Sequence, residues 1–148
     1  MVKRINHEFS VAGQVTPHDL QAAAQDGFKS VFNLRAPDEQ GFVADEADIA
    51  ATFGLSYGNA PLVTASVDEA RLLEIVAELD RLPKPTLIHC AGGLRATAIA
   101  LLSIAQRGDL TPEQAIAQAT EAGFDLNANP KLKQLLEAVI EQREKVAT

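Results

Sequence analysis

The sequence predicts an α/β domain, a mostly parallel sheet of four to five strands with helices on both faces, and three observations carry that expectation. Short apolar strand patterns such as Val31 to Leu34 and Leu87-Ile88 alternate along the chain with longer stretches of helical period. Thr16-Pro17-His18-Asp19, Ser66-Val67-Asp68-Glu69 and Thr111-Pro112-Glu113-Gln114 repeat one grammar, a hydroxyl that can cap a helix followed three residues later by an acid or amide. Gly27, Gly54 and Gly123 stand where helices are expected to stop. Strands that alternate with helices form parallel sheets buried on both sides.

Taken in order, Glu8 to Gln14 reads as the first strand, and Thr16 caps a helix that runs to Asp26. The second strand, Lys29 to Arg35, buries Val31, Phe32 and Leu34 and ends in the polar loop Ala36 to Gly41. Ala44 to Phe53 is a helix with Ala47, Ala50 and Ala51 on one face, and Leu55 to Ala60 is the third strand. After the loop Pro61 to Ala65, Ser66 opens a helix with Leu72, Ile75, Val76, Leu79 and Leu82 at helical spacing, which Pro83-Lys84-Pro85 ends. The central strand follows, then a helix from Leu94 whose apolar residues run so continuously to Ile104 that it must be buried. Gly108-Asp109-Leu110 turns the chain into a helix to Ala122, Asn127 to Pro130 is a break, and Lys131 to Lys145 is an amphipathic helix with Leu132, Leu135, Leu136 and Val139 as its stripe. No repeat or shift of composition divides the chain, so residues 1–148 read as a single domain.

Composition narrows the function. Thirteen basic against twenty acidic side chains leave a formal charge of −7, which argues against nucleic acid or an anionic membrane as partner. Met1 to Glu8 has two basic residues without the apolar run of a signal peptide, and no stretch reaches a membrane-spanning length. One cysteine excludes an internal disulfide and suits a reducing cytoplasm. With His7 and His18 far from His89 in sequence, and no other cysteine, neither a metal site nor a cofactor is expected.

The chemistry concentrates in Thr86-Leu87-Ile88-His89-Cys90-Ala91-Gly92-Gly93-Leu94-Arg95-Ala96-Thr97. A strand runs through the cysteine into a glycine pair and an arginine at the start of a helix. There, unpaired backbone N–H groups and the positive end of the helix dipole favour a bound phosphate and the anionic form of a thiol. A lone cysteine is commonly a small buried hydrophobe and an arginine on a helix commonly a solvated charge. Two glycines and an arginine around a thiol instead describe a nucleophile in an anion site. The Arg95 fork suits two oxygens of one phosphate, and Arg35, ending a neighbouring strand, could add positive potential to the same pocket.

His-Cys, a glycine-bearing loop, Arg and Thr resemble the signature of the tyrosine and dual-specificity cysteine phosphatases. That signature has five residues between Cys and Arg; here Ala91, Gly92, Gly93 and Leu94 make four, the loop length of rhodanese sulfurtransferases. Phe9-Ser10-Val11-Ala12-Gly13-Gln14-Val15-Thr16-Pro17, with Gly27-Phe28-Lys29-Ser30-Val31-Phe32-Asn33-Leu34-Arg35, is similar to the opening of the beta-lactamase hydrolase-like protein phosphatase-like domain, whose members often carry the shortened loop. The likeness covers residues 8 to 105 and implies a cysteine-phosphatase-like fold. It implies Cys90 as nucleophile, Arg95 and the amides of Ala91 to Leu94 as phosphate binders, and His89 as a support of the loop rather than a proton donor. Thr97 lies where those enzymes place a hydroxyl counted from the cysteine, while Ala96 lies there counted from the arginine.

The dual-specificity enzymes carry an aspartate acid after the third strand, where this chain reads Ala60-Pro61-Leu62-Val63-Thr64-Ala65-Ser66. Asp68, Asp38 and Glu39 are the candidate acids. First-turn helix charge accounts equally for Asp68, and solvated loop charge for the other two. The leading expectation is hydrolysis of a phosphorylated small molecule or phosphoprotein. The alternatives are sulfur transfer through a Cys90 persulfide and a catalytically weak anion- or protein-binding module.

Overall fold

The computed structural model describes residues 2–108 and 110–147. Asp109, in the predicted turn Gly108-Asp109-Leu110, lies outside the described residues, as do the first and last residues of the expected single domain.

Among the described residues five strands, β1 (Val2–Arg4), β2 (Phe9–Ala12), β3 (Ser30–Asn33), β4 (Ser56–Asn59) and β5 (Thr86–His89), form one sheet in the order β1-β2-β5-β3-β4. All pairings are parallel except β1 with β2. β2, β3 and β5 are buried throughout, as strands covered on both faces must be. β1 was not legible in the sequence: its three residues are all exposed, and it exists only because Val2 pairs with Ala12 at the sheet edge.

Among the described residues six α-helices cover the sheet: α1 (Pro17–Gln25), α2 (Glu46–Thr52), α3 (Glu69–Asp80), α4 (Leu94–Arg107), α5 (Pro112–Glu121) and α6 (Pro130–Ala147). A 3₁₀ turn, Leu126–Ala128, fills the predicted break. Alternate strand residues serve opposite layers. Ala12, Val31 and Leu87 pack on Leu20, Ala23, Ala50 and Leu55 beneath α1 and α2, whereas Val11, Phe32 and Ile88 meet Leu72, Ile75, Ile99, Leu132 and Leu136 on the side of α3 to α6. Fully burying one such Leu or Ile contributes about 1.5–3 kcal/mol.

The Thr16 and Thr111 capping boxes form as the spacing predicts. Two details differ. Asp68, not Ser66, caps α3: its carboxylate accepts the Arg71 N–H at 2.8 Å. The N–H groups of Ser66 and Val67 are already spent on the Val63 carbonyl, so the helix starts two residues later. In α2 the inward face is Glu46, Ile49, Ala50 and Phe53, and Ala47 and Ala51 are exposed. Larger apolar groups outbid alanine methyls for the core, and Glu46 enters it because partners await it there.

Among the described residues no helix is long and apolar enough to cross a membrane.

Candidate active site

Register brings the site together. Ala12 and Asn33 both stand opposite His89, so β2, β3 and β5 end level and their following loops lie side by side. The Cys90 N–H donates to Ala12 O at 3.2 Å, and Gln14 N–H to Ala91 O at 3.2 Å. The approach is so close at Gly13 that a Cβ there would lie 2.8 Å from Ala91 O. Gly93, which precedes α4, has φ +102° and would place a Cβ 2.5 Å from the Phe124 ring. A side chain is therefore excluded there twice, by conformation and by contact. This glycine orients its N–H onto Cys90 Sγ at 3.0 Å.

Thr97 does not reach the sulfur. Its hydroxyl donates to Gly93 O at 2.8 Å, one turn back along its own helix, and so braces the residue that holds the thiol.

Arg95 is held along one edge by Glu39, Nη1 to Oε2 at 2.9 Å and Nη2 to Oε1 at 3.0 Å, and Nη1 also donates to Leu62 O at 3.1 Å. The Arg95 fork drives the Glu39 carboxyl down to about 2; partial burial opposes this, while the Ala36 N–H and Arg35 reinforce it. Glu39 in turn keeps the guanidinium above its already high value.

Arg35 is not on the wall of the pocket over Cys90. It is 5% exposed, and its guanidinium donates to Glu39 at 3.2 Å, to Gln14 Oε1 at 2.8 Å, and to the carbonyls of Gln40 and Gly41. The β3 loop does meet the Cys90 loop, as expected, but through Ala36, Asp38 and Glu39.

His89 is fully buried, with Nε2 2.5 Å from Glu46 Oε2 and Nδ1 3.4 Å from Cys90 O. Glu46 also accepts from Tyr57 OH at 2.9 Å and from Gln14 Nε2 at 2.8 Å. Burial pushes the Glu46 carboxyl up, but the His89 bond and charge, with Gln14 and Tyr57, more than reverse this and hold it below the usual range. Burial, helped by the Glu46 charge, pushes the Tyr57 phenol well up.

A cavity of about 510 Å³ opens over Cys90, Gly92, Leu94 and Arg95, walled by Ala36, Asp38, Glu39, Val63, Thr64 and Asn129. Asp68 is not on this wall; its carboxylate caps α3. Asp38 lies on the wall, exposed, and makes no hydrogen bond or ion pair among the described residues. Sequence reasoning missed Glu46, Gln14, Thr64 and Asn129. Asp45-Glu46-Ala47-Asp48 reads as surface charge, and Asn129 stands far from Cys90 in the chain. Among the described residues no three His, Cys, Asp or Glu side chains gather as metal ligands.

A parallel sheet whose central strand runs through such a loop into a buried helix is the cysteine-phosphatase fold. The DUF442 protein of Shewanella putrefaciens CN-32 superposes with a TM-score of 0.81 at 21% identity, over 95% of this chain and 89% of that one. PTPMT1 in complex with PI(5)P gives 0.77 at 16% identity over 99% of each chain. Residues 2–109 match the family of the beta-lactamase hydrolase-like protein, phosphatase-like domain, and the chain belongs to that family. The beta-lactamase hydrolase-like protein of Agrobacterium fabrum is 30% identical over 128 residues, which cover 84% of this chain. The chain spans about 30% of that relative's length.

Proposed function

We propose that this chain is a cysteine-dependent phosphatase-type hydrolase of phosphate monoesters, of a phosphorylated small molecule or phosphoprotein. The observation that carries the reading is the convergence of Cys90 Sγ, the Gly93 N–H at 3.0 Å from it, and the Arg95 guanidinium in one cavity at the start of α4. In this reading the Cys90 sulfur attacks phosphorus, the ester oxygen departs with its electron pair, and a thiophosphate forms. Water then attacks phosphorus and releases the thiolate. The amides of Ala91 to Leu94 and the free edge of Arg95 stabilise the equatorial oxygens as charge develops. His89 and Thr97 act by holding the loop, and Arg35 by holding Glu39.

The acid is Asp38 in this reading. Glu39 is held ionised by Arg95 and has no proton to give near neutral pH, and Asp68 is engaged outside the cavity. PTPMT1 in complex with PI(5)P, which shares the fold, supports a phosphorylated small molecule as one substrate class.

The four-residue loop Ala91 to Leu94 favours a second reading, in which Cys90 takes the outer sulfur of thiosulfate as a persulfide, releases sulfite, and passes the sulfur to a nucleophile such as cyanide. Purified protein assayed side by side with nitrophenyl phosphate and with thiosulfate plus cyanide separates the two. Thiocyanate without nitrophenol moves the assignment to sulfur transfer. Anion binding without either product leaves a binding module.

A further inference from the structure

Glu46 is 1% exposed, takes no part in the cavity, and belongs to a helix of ordinary surface composition. A carboxylate is unfavourable in such a place unless donors replace its water. Three do: Gln14 Nε2 on Oε1, and Tyr57 OH and His89 Nε2 on Oε2. A purely structural link between α2 and the sheet would not require ionised groups, since apolar pairs of similar volume serve a core at least as well. What sets Glu46 apart is its target, the ring next to Cys90.

The other face of that ring leads to the nucleophile. His89 Nδ1 stands 3.4 Å from Cys90 O, and a carbonyl oxygen is an acceptor only. The Glu46 carboxylate on the other side also only accepts, so it is Nε2 that carries the proton between them.

We propose that Glu46 is a positioning residue for Cys90: it takes the His89 Nε2–H on its carboxylate and so fixes the ring with Nδ1 at the Cys90 carbonyl. The ring is thereby fixed in plane behind the Cys90 peptide. The groups that face the ring are Glu46 from α2, Tyr57 from β4 through Glu46, and Cys90 itself. Gln14 joins the same carboxylate to Arg35, whose guanidinium holds Glu39 and thus Arg95, so Glu46 also ties the nucleophile to the anion-binding arginine. This deepens the proposed function and rests on its assignment of Cys90 as nucleophile.

The test has a part that needs no turnover. Nitrogen NMR of the intact wild-type protein should show His89 Nε2 protonated and hydrogen-bonded, and a ring that carries its proton on Nδ1 alone overturns the proposal even if no variant folds. In Glu46→Gln, alkylation of Cys90 by iodoacetamide at pH 7 should slow by about tenfold or more, the scale of a lost charge-assisted hydrogen bond. Ser103→Ala is the control, because Ser103 is buried and donates to Asp80 at 2.7 Å on the outer layer. It should lower the thermal midpoint and leave alkylation unchanged. Undiminished alkylation in Glu46→Gln, or an equal fall in both variants, overturns the assignment. Alkylation and NMR as expected with no nitrophenyl phosphate turnover in wild type would sink the phosphatase reading and leave this one standing.

Discussion

Glu39 and Arg95, 56 positions apart, join through two parallel hydrogen bonds of 2.9 and 3.0 Å. Arginine has five N–H donors in a planar fork. Nη1 spends both on Glu39 and Leu62 O, and Nη2 spends one on Glu39, which leaves the Nε–H and the second Nη2–H side by side on another edge, where Cys90 also interacts with the guanidinium. Glu39 thus presents a two-donor edge in a fixed plane, the geometry that two oxygens of one phosphate require.

Arg95→Lys should therefore lower turnover far more than stability. Lysine offers a point charge that can satisfy Glu39 or the anion, but not both in register. We expect kcat to fall about 100-fold or more, the scale of one preorganised donor, while the thermal midpoint moves by a few degrees. Parallel losses in both measurements would assign Arg95 a structural role only.

The Glu39 carboxyl, ordinarily near 4.5, is held at about 2, so its ionised form is favoured by the folded state. A depressed folded value contributes stability that is present above 4.5 and lost as pH falls toward 2. Wild type should lose stability to acid across that window, and Glu39→Gln should be flatter there. Denaturant midpoints measured from pH 6 to pH 2 check this; parallel curves for the two proteins would contradict it.

Cys90→Ser should abolish turnover while retaining phosphate or vanadate binding, because the loop amides and Arg95 remain. Calorimetric titration beside the nitrophenyl phosphate assay decides it. Activity equal to wild type would place the chemistry elsewhere.

Gly93→Ala forces a Cβ onto a residue at φ +102° and 2.5 Å from Phe124. The left-handed backbone costs about 1–2 kcal/mol, and the overpacking about 1–3 kcal/mol more. Shortening Phe124 to leucine should recover part of the second contribution and none of the first. A variant as stable as wild type would refute this account of the loop.

Leaving-group dependence tests the acid. General acid catalysis is worth about 100- to 10,000-fold. If Asp38 supplies it, Asp38→Asn should lose that factor on phosphotyrosine or alkyl phosphates and little on nitrophenyl phosphate, which leaves unaided. A wild type that already cleaves nitrophenyl phosphate faster by such a factor has no acid at all.

Much of the layout could be read from residues near one another in sequence. Thr16 with Asp19 and Thr111 with Gln114 close their capping boxes because cap and partner are three residues apart, a distance the backbone sets without tertiary help. The nearly continuous apolar run from Leu94 to Ile104 announced its burial, and every residue from Ala96 to Ser103 is buried. Cys90, the glycine pair and Arg95 were legible for the same reason: a strand, a tight loop and a helix start place them together within six residues.

The side chains that complete the site were decided by register and packing. Arg35 looked like a second cation for the pocket until Gln14, Glu39 and two carbonyls claimed every edge of it. Asp68 looked like an acid until the start of α3 took its carboxylate, and Thr97 turned from the sulfur to Gly93 O. Glu46 stands 2.5 Å from His89, 43 positions along the chain, because α2 packs beneath the sheet with that face inward. Local sequence determined which elements form and where Cys90 sits, since capping, periodicity and loop geometry act over a few bonds. Which charges meet was left to the tertiary structure, because a carboxylate's partner depends on what level strand ends and packed helices bring within 3 Å of it.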